Sequence, residues 1–84
     1  MVEVVLLSSE GCHLCSDARL ALAQITLEFP VSVREVDLAS EEGRALNDLH
    51  RPSMPPAVLL GGKLFSVGRL PQKKLRRLLE ARAA

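Results

Sequence analysis

Aromatic residues are nearly absent from this 84-residue chain, which has no tryptophan or tyrosine and only two phenylalanines, Phe29 and Phe65. Proteins that bind single-stranded nucleic acid stack bases on exposed aromatic rings, so we do not expect nucleic acid as a partner. The formal net charge is only +1, which gives no large field to attract phosphate backbones or anionic lipid. The apolar runs are also far shorter than the roughly 20 residues that cross a bilayer. We therefore expect no membrane partner.

The N-terminal residues Met1 to Val4 lack the basic segment, the apolar stretch and the cleavage site of a secretory signal. The default expectation is a cytoplasmic location. The composition is 48% hydrophobic and 25% charged, which is typical of a globular protein. A chain of this length is too short for two independent cores, so residues 1–84 are predicted to form a single domain, and we expect a monomer.

Cysteine is also scarce, since the chain has only Cys12 and Cys15. A pair separated by two residues closes too small a loop to staple a fold, and in the reducing cytosol it points to metal binding or redox catalysis. A structural zinc site needs four ligands, and only His13 and His50 remain as nitrogen ligands. Because no second cysteine pair or spaced histidine pair exists, we predict no metal site. A third interpretation, that both cysteines are simply buried small apolar residues, stays open.

Apolar spacing and turn residues predict seven elements in the order βαβαββα. A strand, a helix and a strand in that order form a right-handed parallel unit, and a following hairpin adds an antiparallel pair. We therefore predict an α/β fold, a three-layer α/β/α sandwich around a four-stranded mixed sheet. The predicted elements are a strand over 2–7, a helix from the cysteines to Phe29, a strand over 31–36, a helix capped by Ser40 with Ala45, Leu46 and Leu49 at helical spacing, strands over 57–60 and 63–67, and a helix opened by Pro71.

The cysteine pair falls just after the first strand and on the first turn of the first helix. Backbone N–H groups at the start of a helix favour an anion, so a cysteine there can have its pKa lowered from about 8.5 into roughly the 3.5 to 7.5 range. Cys12 is therefore the predicted nucleophile. Cys15 lies one turn later on the buried face, which makes it the predicted resolving thiol. His13 is a candidate for tuning this chemistry, since an imidazolium would stabilise the neighbouring thiolate, and a solvent-exposed His13 is the alternative.

The chain resembles the glutaredoxin-like branch of the thioredoxin superfamily. The resemblance rests on the opening strand followed by the run from Gly11 to Cys15, on Val36-Asp37-Leu38, and on Met54-Pro55 before the strand over 57–60. It implies a thioredoxin-like fold and a disulfide oxidoreductase that acts on protein or low-molecular-weight disulfides. It also implies a cis proline bond facing the cysteines, at Pro55 or at Pro56, and of the two the Met54-Pro55 bond is the one expected. Met54, Pro55 and Gly68 together with His13 are the expected substrate-binding residues.

The chain resembles short bacterial glutaredoxin-like proteins with a Cys-His-Leu-Cys motif more closely than it resembles the best-known glutaredoxins. It departs from the best-known glutaredoxins at Leu14, where an aromatic residue is common, and at Arg69, where an acidic residue is expected. The resemblance implies no tightly bound cofactor and an external reductant of the thioredoxin-reductase or glutathione type. Two alternatives stay open: a glutathione-assisted iron-sulfur cluster carrier, and a non-catalytic adaptor that docks an acidic partner on its basic last helix.

Overall fold

The computed structural model describes residues 1–83 and contains the seven predicted elements in the predicted order. The four strands and the first helix begin and end within one residue of the sequence prediction, the last helix begins one residue after Pro71, and Ser40 is the N-cap of the second helix as expected. The elements are β1 (Val2–Ser8), α1 (His13–Glu28), β2 (Val31–Asp37), α2 (Glu41–His50), β3 (Ala57–Leu60), β4 (Lys63–Val67) and α3 (Gln72–Ala83).

The four strands form one mixed sheet in the order β2-β1-β3-β4. β1 pairs with β2 in parallel, and its last residue, Ser8, lies opposite Asp37. β3 runs antiparallel to β1, so its first residue, Ala57, lies opposite Leu7, and the antiparallel β4 brings Val67 to the same place. The carboxyl ends of β1, β2 and β4 and the start of β3 therefore meet at one end of the sheet.

Both faces of this sheet are covered by helices, which explains why β1 reads as a continuous apolar run. Side chains of α1 and α3 pack on one face, and α2 packs on the other, so the molecule is the predicted three-layer α/β/α sandwich. The apolar cluster between the sheet and helices α1 and α3 includes Val4, Leu6, Leu22, Ile25, Val58, Leu75 and Leu79. The apolar cluster on the other face includes Val5, Leu7, Val36, Ala57 and Leu59, with Leu46 of α2 packed against it.

The apolar face predicted for α2 is wrong in part. Leu46 is partly buried, but Ala45 is exposed and Leu49 is 74% exposed. The reason is Gly43, the one buried residue of α2, which brings the first turn of the helix against the backbone of Asp37. Helical spacing identifies a periodic face, but this close approach is a tertiary feature that spacing does not predict.

The prediction of a cis bond between Met54 and Pro55 is wrong. The cis bond joins Pro55 to Pro56, the residue that directly precedes β3. Pro56 is less than 2% exposed, whereas Pro55 is partly exposed. Two consecutive prolines have a similar local preference for a cis bond, so the local sequence does not distinguish them. In the structure they differ in burial, which depends on tertiary packing.

Within residues 1–83, no helix has the length and apolar character needed to span a membrane.

Candidate active site

The cysteine pair lies at the end of the sheet where the carboxyl end of β1 meets the start of β3. β1 ends at Ser8, and a short turn through Gly11 leads into α1. Gly11 has a φ of +72°, a conformation that residues with a side chain adopt only at a cost. Because this turn is short, the cysteine pair lies at the start of α1, a few residues after the buried strand β1.

Cys12 is the N-cap residue of α1, with extended backbone angles of φ −96° and ψ 112°. Its Sγ accepts a hydrogen bond from the backbone N–H of Cys15 at 3.1 Å. Its carbonyl accepts the N–H of Ser16 at 3.2 Å. The N–H groups of the first turn lack intrahelical acceptors, so this position stabilises negative charge on the Cys12 sulfur.

The two cysteines differ in their access to solvent. Cys12 is partly exposed, whereas Cys15 is 0% exposed and lies among the apolar residues on the inner face of α1. They are joined by a disulfide, with their Cα atoms 5.2 Å apart. An external disulfide can therefore approach Cys12. Cys15 is shielded from solvent and is bonded to Cys12. A pair of this kind at the start of a helix indicates a redox function.

A groove of about 440 Å³ opens beside Cys12. His13, the first residue of α1, is exposed and lines this groove, so its tuning role stays a prediction. The other lining residues are Ser9, Glu10, Gly11, Ser16 and Arg19. On the opposite side of the motif, Leu14 lines a separate groove of about 370 Å³ that also includes Arg69.

Met54 and Gly68, two of the predicted substrate-binding residues, lie next to each other. A Cβ placed on Gly68 would be 3.5 Å from the sulfur of Met54. The Gly68 N–H donates to the carbonyl of Pro56 at 2.8 Å, which ties the loop after β4 to the start of β3. Met54 is 48% exposed and Pro55 is partly exposed. These residues share the end of the sheet with the cysteines, and their role toward substrate stays a prediction.

A hydrogen-bonded network of Arg19, Glu35 and Ser8 connects α1, β2 and β1 beside the groove. The Arg19 guanidinium donates to both oxygens of Glu35, from Nε at 2.7 Å and from Nη2 at 2.6 Å. The hydroxyl of Ser8, which is 6% exposed, donates to Glu35 Oε2 at 2.7 Å. The hydrogen bonds from Arg19 are the largest cause that lowers the pKa of Glu35 to about 2, and the Ser8 hydroxyl adds to them.

This network was not predicted from the sequence, although one signal along β2 indicated it. Val31 and Val33 alternate inward along β2, and Glu35 continues the same face of the strand. A carboxylate on the face that α1 covers is favoured by a nearby cation, and Arg19 supplies it. The sequence does not show that Arg19 is that partner, because the pairing depends on how α1 crosses the sheet.

The hydrogen bonds of the Asp37 side chain and carbonyl are made within the turn that follows β2. The Asp37 Oδ1 accepts the backbone N–H of Ala39 at 2.8 Å, and the Asp37 carbonyl accepts the N–H of Ser40 at 2.9 Å. Asp37 thus shapes the turn between β2 and α2, as carboxylates at strand ends commonly do.

Residues 3–80 match the family described as Glutaredoxin-like domain (DUF836). The chain belongs to this glutaredoxin-like family. No curated protein matches it. Within residues 1–83 of this glutaredoxin-like chain, no three histidine, cysteine or acidic side chains are grouped so that they could hold a metal ion.

Solved structures share the fold of this glutaredoxin-like chain. A mutant thioredoxin from Halobacterium salinarum is 19% identical, with a TM-score of 0.74 over 95% of this chain and 73% of the other. Oxidized mitochondrial thioredoxin 3 from Saccharomyces cerevisiae is 18% identical, with a TM-score of 0.73 over 95% and 77%. A malarial protein is 13% identical, with a TM-score of 0.76 over 100% and 99%. The fold is therefore thioredoxin-like.

Proposed function

We propose that this glutaredoxin-like chain is a thiol-disulfide oxidoreductase in which Cys12 is the nucleophile and Cys15 is the resolving thiol. The observation that carries the proposal is the asymmetry of the pair. Cys12 is partly exposed and its Sγ accepts a backbone N–H at the start of α1, whereas Cys15 is fully buried one turn later. Attack on an external disulfide requires an accessible, stabilised thiolate, which the position of Cys12 provides. The resolving thiol must be protected from solvent but close to the nucleophile, which the position of Cys15 provides.

The reaction begins with attack of the Cys12 thiolate on one sulfur of a substrate disulfide. A bond forms between Cys12 and that sulfur, and the other substrate sulfur leaves as a thiolate. The Cys15 thiolate then attacks the sulfur of Cys12, and the internal disulfide forms as the second substrate thiol leaves. The substrate gains two electrons, and the protein loses two.

The next turnover requires an external reductant. It supplies two electrons and two protons to the Cys12–Cys15 disulfide, either from a dithiol of the thioredoxin-reductase type or from two molecules of glutathione. We propose protein or low-molecular-weight disulfides as substrates. Trapping the Cys15→Ser variant as a mixed disulfide in its native cell, followed by mass spectrometry, would identify the group bound to Cys12.

Activity of three proteins tests the proposal. Reduced wild-type protein, Cys12→Ser and Cys15→Ser are compared in the reduction of a model protein disulfide by dithiothreitol. We expect Cys12→Ser to lose the catalysed rate entirely. Cys15→Ser is expected to accumulate a mixed disulfide and to turn over slowly. Full activity of Cys12→Ser would overturn the proposal.

The same variants separate the proposed function from its alternatives. A cluster carrier would retain iron and a visible chromophore after anaerobic purification, and Cys12→Ser would lose both. An adaptor would keep its function in Cys12→Ser and lose it when the basic charges of α3 are reversed. Arg76 is a poor choice for that reversal, because it pairs with Glu28 of α1 at 2.7 Å. Arg77 is exposed and is the better position.

A further inference from the structure

The Arg19 guanidinium is bound by Glu35 along only one of its two edges. Nε and Nη2 form the fork that donates to the carboxylate. The opposite edge, formed by Nη1 and the second hydrogen of Nη2, makes no hydrogen bond with the residues that the structure describes. A guanidinium presents five N–H groups in a rigid fork, so this second edge can take another carboxylate in the same planar manner.

Two hydrogen bonds to Glu35 restrain the orientation of the Arg19 guanidinium. Glu35 is itself held by Ser8, a residue that is 6% exposed, so the ion pair is anchored to the buried end of β1. A restrained side chain loses less conformational freedom when it binds a partner. The Arg19 side chain nevertheless remains 52% exposed, which leaves its outer edge accessible.

Arg19 lines the same groove as Cys12. The two residues are seven positions apart, which is two turns of α1, so their backbones are separated by about 10 Å along the helix axis. Side chains on a helix lean toward its N-terminus, so we expect the Arg19 guanidinium to lie closer to Cys12 than the backbone separation suggests. A carboxylate that meets Arg19 while a disulfide meets Cys12 must therefore be close to the substrate cysteine, about one residue away.

We infer that Arg19 is a specificity residue that recognises a carboxylate one residue away from the substrate's disulfide cysteine. The inference rests on the disulfide-exchange function proposed above, and it names the substrate class of that same site. The carboxylate has two possible sources with the same chemistry, an acidic side chain next to the cysteine or the terminal carboxylate of a residue that follows it. Arg19 takes no part in the exchange of bonds.

One other charge in the groove acts in the opposite direction. Glu10 is exposed and lines the groove together with Arg19 and Cys12, so its carboxylate repels an incoming anion. Removal of this charge should strengthen the preference, and removal of Arg19 should abolish it. The two variants thus provide a matched pair with opposite expected effects.

The test measures how fast reduced wild-type protein attacks 2-pyridyl disulfides of short peptides, from the release of 2-thiopyridone. One pair of probes is N-acetyl-cysteinyl-glutamate amide and its glutamine counterpart, and the other is N-acetyl-cysteinyl-glycine and its amide. Each acid-to-amide rate ratio is divided by the same ratio measured with dithiothreitol, which removes intrinsic reactivity. The first pair reports a side-chain carboxylate and the second a terminal one.

We expect at least one acid probe to react roughly threefold to tenfold faster than its amide with wild-type protein, as for a partly exposed charge-assisted contact. In Arg19→Gln the ratio should fall to one, in Arg19→Lys it should be intermediate, and in Glu10→Gln it should rise. An unfolded fraction would react with both probes without preference, so the circular dichroism spectrum of each variant must match that of the wild-type protein, and the opposite shift in Glu10→Gln separates loss of the Arg19 charge from unfolding.

Two results would overturn the inference. In one, wild-type protein shows no preference for either acid probe. In the other, Arg19→Gln keeps the wild-type preference. If reduced wild-type protein released no 2-thiopyridone from any probe, the disulfide-exchange function itself would fail, and the specificity inference would fail with it.

Discussion

Replacement of Glu35 by glutamine removes the charge that Arg19 and Ser8 hold in place while keeping the shape of the side chain. The pKa of Glu35 lies at about 2 instead of the ordinary 4.5, chiefly because Arg19 donates to both of its oxygens. Taken directly, this difference corresponds to about 3.4 kcal/mol of folding free energy. The two side chains are 52% and 35% exposed, and solvent screening reduces the expected contribution to about 1 kcal/mol.

The pH dependence of this contribution has a definite sign. Because folding lowers the pKa of Glu35, the carboxylate stabilises the folded state fully above about pH 4.5, and the stabilisation is lost as the pH falls toward about 2. Glu35→Gln lacks this titration. The wild-type protein should therefore be more stable than the variant by about 1 kcal/mol at neutral pH, and the difference should disappear near pH 2.

Urea unfolding followed by circular dichroism, repeated from neutral pH down to about pH 2, measures this difference. Glu28→Gln is the matched control, because Glu28 accepts a single hydrogen bond from Arg76 and lacks the second fork bond and the buried hydroxyl. We expect Glu28→Gln to lower the free energy of unfolding at neutral pH by less than Glu35→Gln does. A wild-type advantage that stays constant across the whole pH range would refute the role assigned to the Glu35 charge.

Three further predictions concern the backbone around the site and the nucleophile. Gly43→Ala should destabilise the fold by about 3 kcal/mol in urea unfolding, since its Cβ would lie within bonding range of the Asp37 carbonyl oxygen. Helix propensity alone would stabilise this variant by about 1 kcal/mol, so a gain in stability would contradict the close approach. Gly68→Ala should cost about 1 kcal/mol, because the backbone there has a φ of +77°; an unchanged unfolding midpoint would count against it. In the reduced protein, the rate of alkylation at Cys12 should follow a thiol pKa below the free value of about 8.5, and titration at the free value would contradict the helix-start argument.

Much of this architecture follows from local sequence signals. The strands and helices were predictable because apolar runs, helical spacing and turn residues all act over a few positions. Cys12 at the helix start is an example, since Gly11 and the preceding strand define the junction without any tertiary information. The same holds for Ser40, whose side chain accepts the Gly43 N–H at 3.0 Å as a helix cap.

The features that sequence analysis missed depend on distant parts of the chain. Arg19 and Glu35 are 16 residues apart, and their contact depends on how α1 lies across β2. The burial of Pro56 and not Pro55 is decided by the packing at the start of β3. Leu49 has the spacing of a core residue but remains exposed, because α2 approaches the sheet through its first turn.

The most direct test of the account is to determine which cysteine forms the first bond with a substrate. Reduced Cys15→Ser and reduced Cys12→Ser are each mixed with a short peptide carrying a 2-pyridyl disulfide, and intact-mass spectrometry follows the adduct. The account predicts rapid formation of a stable mixed disulfide at Cys12 in Cys15→Ser, and little reaction at the buried Cys15 in Cys12→Ser. Equal or faster adduct formation at Cys15 would contradict it.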